Sequence, residues 1–326
     1  MRKYLIISLL FFLNGCSIEV KEYNKKDIIF TDDFWTEKFS DEPITGKVYN
    51  TFGEEGNLKK VYIGNLLNGR YDGLWTYWSE NGEKKREETY KDGELDGLLT
   101  EWDENGNKSE TTYKNNKKDG LWNWWYENGK KNSEGTYKDG EKDGLWTDWY
   151  ENGQKWGEGT YKDGKEDGLF TEWYENGQKK EEGTFKDGKR EGLVTGWYEN
   201  GQKKSEGKFE DDKKDDLWKD YYENGQLQEE GHYKEGKYEG LWRRYFDNGI
   251  LSIKGNYKDD KQDGFWKSYY DNGQLYLDRI YKDGKLEGFW KSYYDNGQLK
   301  YEWNYKEGEL ISQECWDEDG NEKECD

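Results

Sequence analysis

The sequence predicts an all-β protein, an elongated solenoid or meander of tandem β-hairpins with one hairpin per unit of about 24 residues. Three observations predict it. One phrase recurs along the chain, as in DGLWTDWYENGQKWGEGTYKDGK from Asp143 and DGLFTEWYENGQKKEEGTFKDGK from Asp167. Each copy carries two glycine-centred turn signals. Between the turns aromatic and polar residues alternate, and no stretch shows helical periodicity of useful length.

The N-terminus has its own logic. Arg2 and Lys3 precede an apolar run from Tyr4 to Leu13, which is too short for a spanning helix and fits a secretory signal. The run ends at Leu13-Asn14-Gly15-Cys16, which resembles a bacterial lipobox. That resemblance implies cleavage before Cys16 and a diacylglycerol on its thiol. Residues 1–15 are then a lipoprotein signal peptide and 16–44 a linker and N-terminal cap. Cleavage takes Arg2 and Lys3 away and moves the net charge from −21 to −23. The expected location is the cell envelope, membrane-anchored, periplasmic or on the outer surface.

The repeats are placed at 45–311. Their opening glycine falls at Gly73, Gly97, Gly120, Gly144, Gly168, Gly192, Gly240, Gly264 and Gly288, with Asp216 in that place once. Asn-Gly, as at Asn152-Gly153, predicts a two-residue hairpin loop with both residues at positive φ. Asp-Gly, as at Asp163-Gly164, marks the second turn. The first turn sets Trp146 opposite Gly159 and Leu145 opposite Thr160, with the ring lying over the facing glycine. Val194 opposite Gly207 and Trp75 opposite Glu88 depart from that rule. Alternation puts Trp146 and Tyr150 on one face and Trp149 on the other, so aromatic rows run lengthwise on both faces. Ten such units make a twisted ribbon on the order of 100 Å long. Trp125, Trp149, Trp173 and Trp197 form the row taken as candidate binding aromatics.

Residues 312–326 form a C-terminal partial repeat or cap. A three-residue turn over Asp319 to Asn321 would set Cys315 opposite Cys325, leaving either a disulfide or two free thiols.

Composition bounds the function. Hydrophobic residues make up 31% and charged residues 38%, but 18 Trp, 28 Tyr and 12 Phe supply apolar area enough to fold. A net charge of −21 repels nucleic-acid phosphate. The one histidine, His232, stands where other units carry Thr. No Cys/His set has metal spacing, and no glycine-rich loop precedes a helix. Asp-rich loops such as Lys138–Gly144 carry lysines that oppose calcium. Carboxylates recur in every unit, whereas a catalytic pair is unique. No enzyme activity, cofactor or metal is expected.

The pattern DG-x-W-x-x-W/Y-Y-E/D-N-G-Q, then E-G-x-Y-K-D-G-K, resembles the MORN repeat, and more closely its bacterial variant in YwqK-type proteins. The resemblance covers roughly 46–320 and implies a meander of hairpins. It further implies an antitoxin or immunity role, with a protein partner such as a basic toxin, and no catalysis. The lipobox departs from the cytosolic setting of that family, and contact with the membrane is expected through the lipid anchor only. The alternative is a cell-wall or glycan-binding module, since Trp- and Tyr-dense hairpins also resemble choline- and glucan-binding repeats.

Overall fold

The structure is a computed structural model that describes residues 20–31, 33–53 and 59–325. Strands account for nearly all the regular structure among these residues, with a single 3-10 turn at Lys25–Asp27. The chain divides into two compact units. One runs to Asp103 and includes Thr111–Lys117; the other comprises Glu104–Glu110 and everything from Lys118 onward.

The first unit opens with the short strand Glu22–Asn24, which pairs parallel to Gly46–Phe52. A separate hairpin joins Ile28–Thr31 to Phe34–Glu37. Antiparallel strands then follow at Lys59–Leu67, Arg70–Trp78, Lys84–Lys91 and Glu94–Trp102. Tyr23, Ile28, Ile44, Val48, Leu66 and Trp75 bury a core that holds this cap onto the first repeats.

The second unit is an antiparallel meander. Each hairpin has a leading strand such as Lys165–Trp173 and a trailing strand such as Lys179–Lys186, and each trailing strand pairs with the next leading strand. The predicted pairings are present: Trp146 lies opposite Gly159 and Leu145 opposite Thr160. The turn that produces them differs from the expectation. Tyr150 N–H donates to the Gln154 carbonyl and Gly153 N–H to the Tyr150 carbonyl, each at 2.9 Å. The loop is therefore the three residues Glu151-Asn152-Gly153, with only Gly153 at positive φ (92°). A type I turn closed by a left-handed glycine has this form. The extra loop residue is offset by a bulge one step on. Trp149 pairs with Lys155 but Asp148 with Gly157, so Trp156 is the unpaired residue and the register returns to the predicted one.

The two-residue turn with both φ positive lies at the other end of the hairpin. Asp163 (φ 47°) and Gly164 (φ 77°) connect the pair Lys162 and Lys165. In several units the acidic residue that opens the unit secures this turn by accepting from its first N–H. Asp259 N–H donates to Glu239 at 3.1 Å, and Glu307 N–H to Glu287 at 2.7 Å.

The ring over each glycine comes from the neighbouring hairpin, which corrects the sequence-based assignment. A methyl built on Gly159 would lie 2.1 Å from the Phe170 ring, and on Gly207 or Gly255 it would lie 2.2 Å from Trp218 or Trp266. One apparent exception then resolves, because Trp75 covers Gly64. The other moves by one hairpin: Gly207 is covered by Trp218, while Gly183 is covered by Val194, an aliphatic side chain in place of the ring. At Gly135 and Gly255 the next residue drops out of the strand ladder and an indole N–H takes its carbonyl: Trp146 donates to Thr136 at 3.2 Å and Trp266 to Asn256 at 3.0 Å. Trp218 donates in the same way to Lys208 at 3.0 Å. The aromatic therefore closes a gap that the backbone leaves open. Trp146, Trp218, Trp242 and Trp266 are 4–6% exposed. Edge-to-face contacts with Tyr137, Phe209, Tyr233 and Tyr257 extend the row.

Candidate functional site

Two features repeat with every hairpin of the second unit: a stacked edge of Asn-Gly turns and a sheet face opposite the buried aromatics. The edge is built by side chains that reach one unit ahead. Tyr150 donates its hydroxyl to the Trp173 carbonyl, Tyr174 to Trp197 and Tyr198 to Tyr221, at 2.7–2.9 Å. Asn152, Asn176 and Asn200 donate through Nδ2 to Glu175, Glu199 and Glu223 carbonyls at 2.9–3.1 Å. The Oδ1 of each Asn meanwhile accepts from the N–H two residues on, as Gln154 N–H to Asn152 at 2.8 Å. This accounts for the Y-x-N-G pattern: Tyr and Asn bind the next turn, and Gly permits the local one. Burial raises the pKa of Tyr150, Tyr198 and Tyr270, so these ladder hydroxyls stay protonated donors. The edge thus holds Glu151, Glu175, Glu199 and Glu223 in a fixed row, all exposed to solvent.

The opposite face carries the four candidate tryptophans. Trp125, Trp149, Trp173 and Trp197 are half-buried and aligned at one per hairpin. A lysine of the preceding trailing strand approaches each ring: Lys131, Lys155 and Lys179 lie 5.9, 5.8 and 5.7 Å from the centroids of Trp149, Trp173 and Trp197. Lys131 also lies 6.0 Å from Trp125. The lysines pair in turn with Glu134, Glu158 and Glu182. These rings therefore belong to a cation–π and carboxylate network and do not stand as bare planar platforms. From Tyr221 to Tyr293 the tryptophan becomes tyrosine. The hydroxyls of Tyr221 and Tyr245 donate to Glu206 and Glu230, at 2.6 and 3.3 Å. Hydrogen bonds from Lys203 and Tyr221 hold Glu206 below the ordinary carboxylate range.

A row missed by sequence reasoning runs beside the tryptophans. Leu121, Leu145, Leu169 and Leu193 are 63, 56, 55 and 63% exposed. Their period was visible, but leucine beside a tryptophan reads as core until the face of each is known.

Cys315 and Cys325 form a disulfide with Cα atoms 5.4 Å apart. The turn is one residue earlier than expected. Asp317 N–H bonds the Asn321 carbonyl and Cys315 pairs with Lys323, so Cys325 lies past the paired residues. Asp317 fixes the turn by accepting from Asp319 and Asn321, which lowers its pKa. The last hairpin also completes the ladder. Tyr294 donates to the Trp316 carbonyl and Asn296 to the Glu318 carbonyl. Cys16 lies outside the described residues. His232 pairs with Leu217 on a strand, at the place of the unit threonine.

A model described as the MORN repeat variant matches ten segments: 71–92, 95–115, 118–139, 142–163, 166–187, 190–211, 217–235, 238–259, 262–283 and 286–307. The chain belongs to the MORN repeat variant family. Its matched segments begin two residues before each opening glycine in most units and end at the first residue of the second turn, so the family period is the hairpin period. No curated protein matches the chain. Among solved structures it is similar to the TcdB2-TccC3-Cdc42 crystal structure at 11% identity and TM-score 0.17, covering 83% of this chain and 19% of that one. The TcdB2-TccC3 crystal structure aligns at 12% identity and TM-score 0.17, covering 83% and 20%. This MORN chain thus spans about a fifth of the length of those chains, and nothing about it follows from the alignments.

Proposed function

We propose that this MORN protein is a non-catalytic protein-binding scaffold of the cell envelope, tethered through a lipid on Cys16. The observation that carries the binding role is the stacked turn edge. Tyr and Asn ladders fix it, and it presents one exposed carboxylate per hairpin at Glu151, Glu175, Glu199 and Glu223. Adjacent strands lie about 4.8 Å apart, so successive carboxylates recur at roughly twice that spacing. Such a ladder suits an extended basic surface on a partner, and the overall charge of −21 speeds encounter. An immunity role against a basic toxin fits this chemistry. The glycan reading is weaker, because lysines already approach the aligned tryptophan rings.

The test is capture from envelope extract with the tagged full chain and with its Glu151→Gln/Glu175→Gln/Glu199→Gln variant. A basic protein retained by the first, released by salt and lost with the second is the expected outcome. Retention that ignores both salt and variant sinks the reading. Palmitate labelling that disappears in Cys16→Ser reports the anchor separately.

A further inference from the structure

We infer that the leucine-bearing face is the interface between two copies of this chain, packed sheet on sheet about a two-fold axis along the leucine row. This goes beyond the binding role of the turn edge and leaves that edge free.

The starting point is a row of leucines that the fold does not bury. Leu121, Leu145, Leu169 and Leu193 are each more than half exposed, one per hairpin, while the next residue of the same strand turns inward, as Trp146 does at 5%. Between successive leucines stands a threonine of the trailing strand: Leu121 pairs with Thr136, Leu145 with Thr160 and Leu169 with Thr184. The row is thus continuous, apolar and free of charge over its length. Contiguous exposed apolar surface of this kind marks an interaction site.

The rows on either side identify the occupant. Strand alternation places the residues two before and two after each threonine on the same face. Before them stand Glu134, Glu158 and Glu182, each already paired within the chain with Lys131, Lys155 or Lys179; after them stand Lys138, Lys162 and Lys186, the last paired with Asp167. A two-fold rotation about the Leu/Thr row reverses strand direction and leaves position along the row unchanged. Each leucine then meets its own counterpart. Lys138, Lys162 and Lys186 of one copy lie over Glu134, Glu158 and Glu182 of the other, and the reverse. Sheets pack about 10 Å apart, within the reach of lysine. Strand twist accumulates about the same axis, so the rotation superposes one twisted sheet on another of the same hand. A partner of different sequence would have to reproduce both the leucine spacing and the flanking charges; a second copy does so by symmetry. The match ends at Glu210, which would lie over Glu206, so the interface is confined to the hairpins between Leu121 and Leu193.

Single-cysteine substitutions in the full-length chain test this in the cells that produce it, using a short membrane-permeable bismaleimide. Leu169→Cys and Leu145→Cys should give a product of twice the chain mass. Glu175→Cys, on the turn edge, and the unsubstituted chain should not. Adding Leu145→Lys and Leu193→Lys to Leu169→Cys should abolish the dimer. All these positions are exposed, so the variants keep the hairpin cores. The proposal is overturned if Leu169→Cys gives no dimer, or no more than Glu175→Cys. It is equally overturned if the product has the mass of a different partner. A Leu169→Cys chain whose new thiol reacts only with a lipid-soluble maleimide would assign the row to the bilayer and overturn it as well. None of these readouts depends on the basic partner or on Cys16.

Discussion

Hairpins around residues 141–210 and around 237–306 share one backbone but differ in how they cover the same ring. In the earlier stretch Trp173 lies beside Lys179, its strand partner, and Lys155, one hairpin back. In the later stretch the ring is Tyr245 or Tyr293 and its partner is Leu251 or Leu299. The tyrosine hydroxyl then reaches the carboxylate that the lysine held before, as Tyr245 to Glu230 at 3.3 Å. A carboxylate holds this place in every unit from Glu134 to Glu302 except at Lys254, and either a cation or a phenol satisfies it. A second difference lies on the buried face. Glycine accepts the neighbouring ring at Gly207 and Gly255, but Arg279 stands in that place beside Trp290. There the Trp290 and Trp303 indole nitrogens and Arg279 Nε are buried without a partner. The repeat is therefore a rule about backbone gaps, and its cost appears where the rule is broken.

The largest effect expected to sharpen this comparison is on the ring itself. Trp218→Ala should cost about 3–5 kcal/mol, because it removes a large buried side chain together with the donor to Lys208. Trp290→Ala should cost clearly less, since its indole N–H has no acceptor to lose. Denaturant unfolding, with amide exchange to localise the loss, separates the two. Equal costs would break the comparison.

Next comes the ladder. Phe246 occupies the place of Tyr222 and Tyr270, whose hydroxyls donate one unit ahead at 2.8 Å. Phe246→Tyr should gain about 1 kcal/mol and Tyr198→Phe should lose about as much. Asp216 holds φ 63° where other units carry glycine. Asp216→Gly should raise stability by about 0.5–1 kcal/mol, read as a higher midpoint.

Glu206 has a folded pKa below its ordinary value of 4.5, through Lys203 and Tyr221. Its contribution is full above that value and is lost as pH falls through the folded pKa. Glu206→Gln should flatten that part of an acid titration and leave neutral behaviour nearly unchanged. The smallest effect is Lys179→Leu, which gives the earlier hairpins the later solution. Stability should move by less than about 1 kcal/mol while its salt dependence weakens.

Much of the fold was legible because period, glycine placement and alternation are local properties. The pairing of Trp146 with Gly159 followed from counting, although the loop and the bulge that produce it each depart from the count by one residue in opposite senses. Which turn takes the two left-handed residues was not legible. Asn-Gly and Asp-Gly offer the same backbone freedom, and the acidic side chain that supports the second turn in several units lies 20 residues earlier, as Glu239 is to Asp259. The source of the ring over each glycine was hidden for a related reason. Gly159 has aromatic neighbours on both sides, Trp146 and Phe170, and only the three-dimensional path selects Phe170. The candidate tryptophans stand on the face that alternation gives them, but the lysines that approach the rings of Trp149, Trp173 and Trp197 come from the preceding hairpin, which the local sequence does not mark.

The forward reach of Tyr and Asn has a consequence for how such a chain changes over generations. The tyrosine hydroxyls, and the amides of Asn152, Asn176, Asn200 and Asn224, find their acceptors 23 residues downstream, on main-chain carbonyls that any residue supplies. An in-frame gain or excision of a whole hairpin therefore strands no polar group and asks for no matching change elsewhere. The closing hairpin with Cys315 and Cys325 receives the last two donors whatever number of copies precedes it. Length is thus open to selection separately from stability.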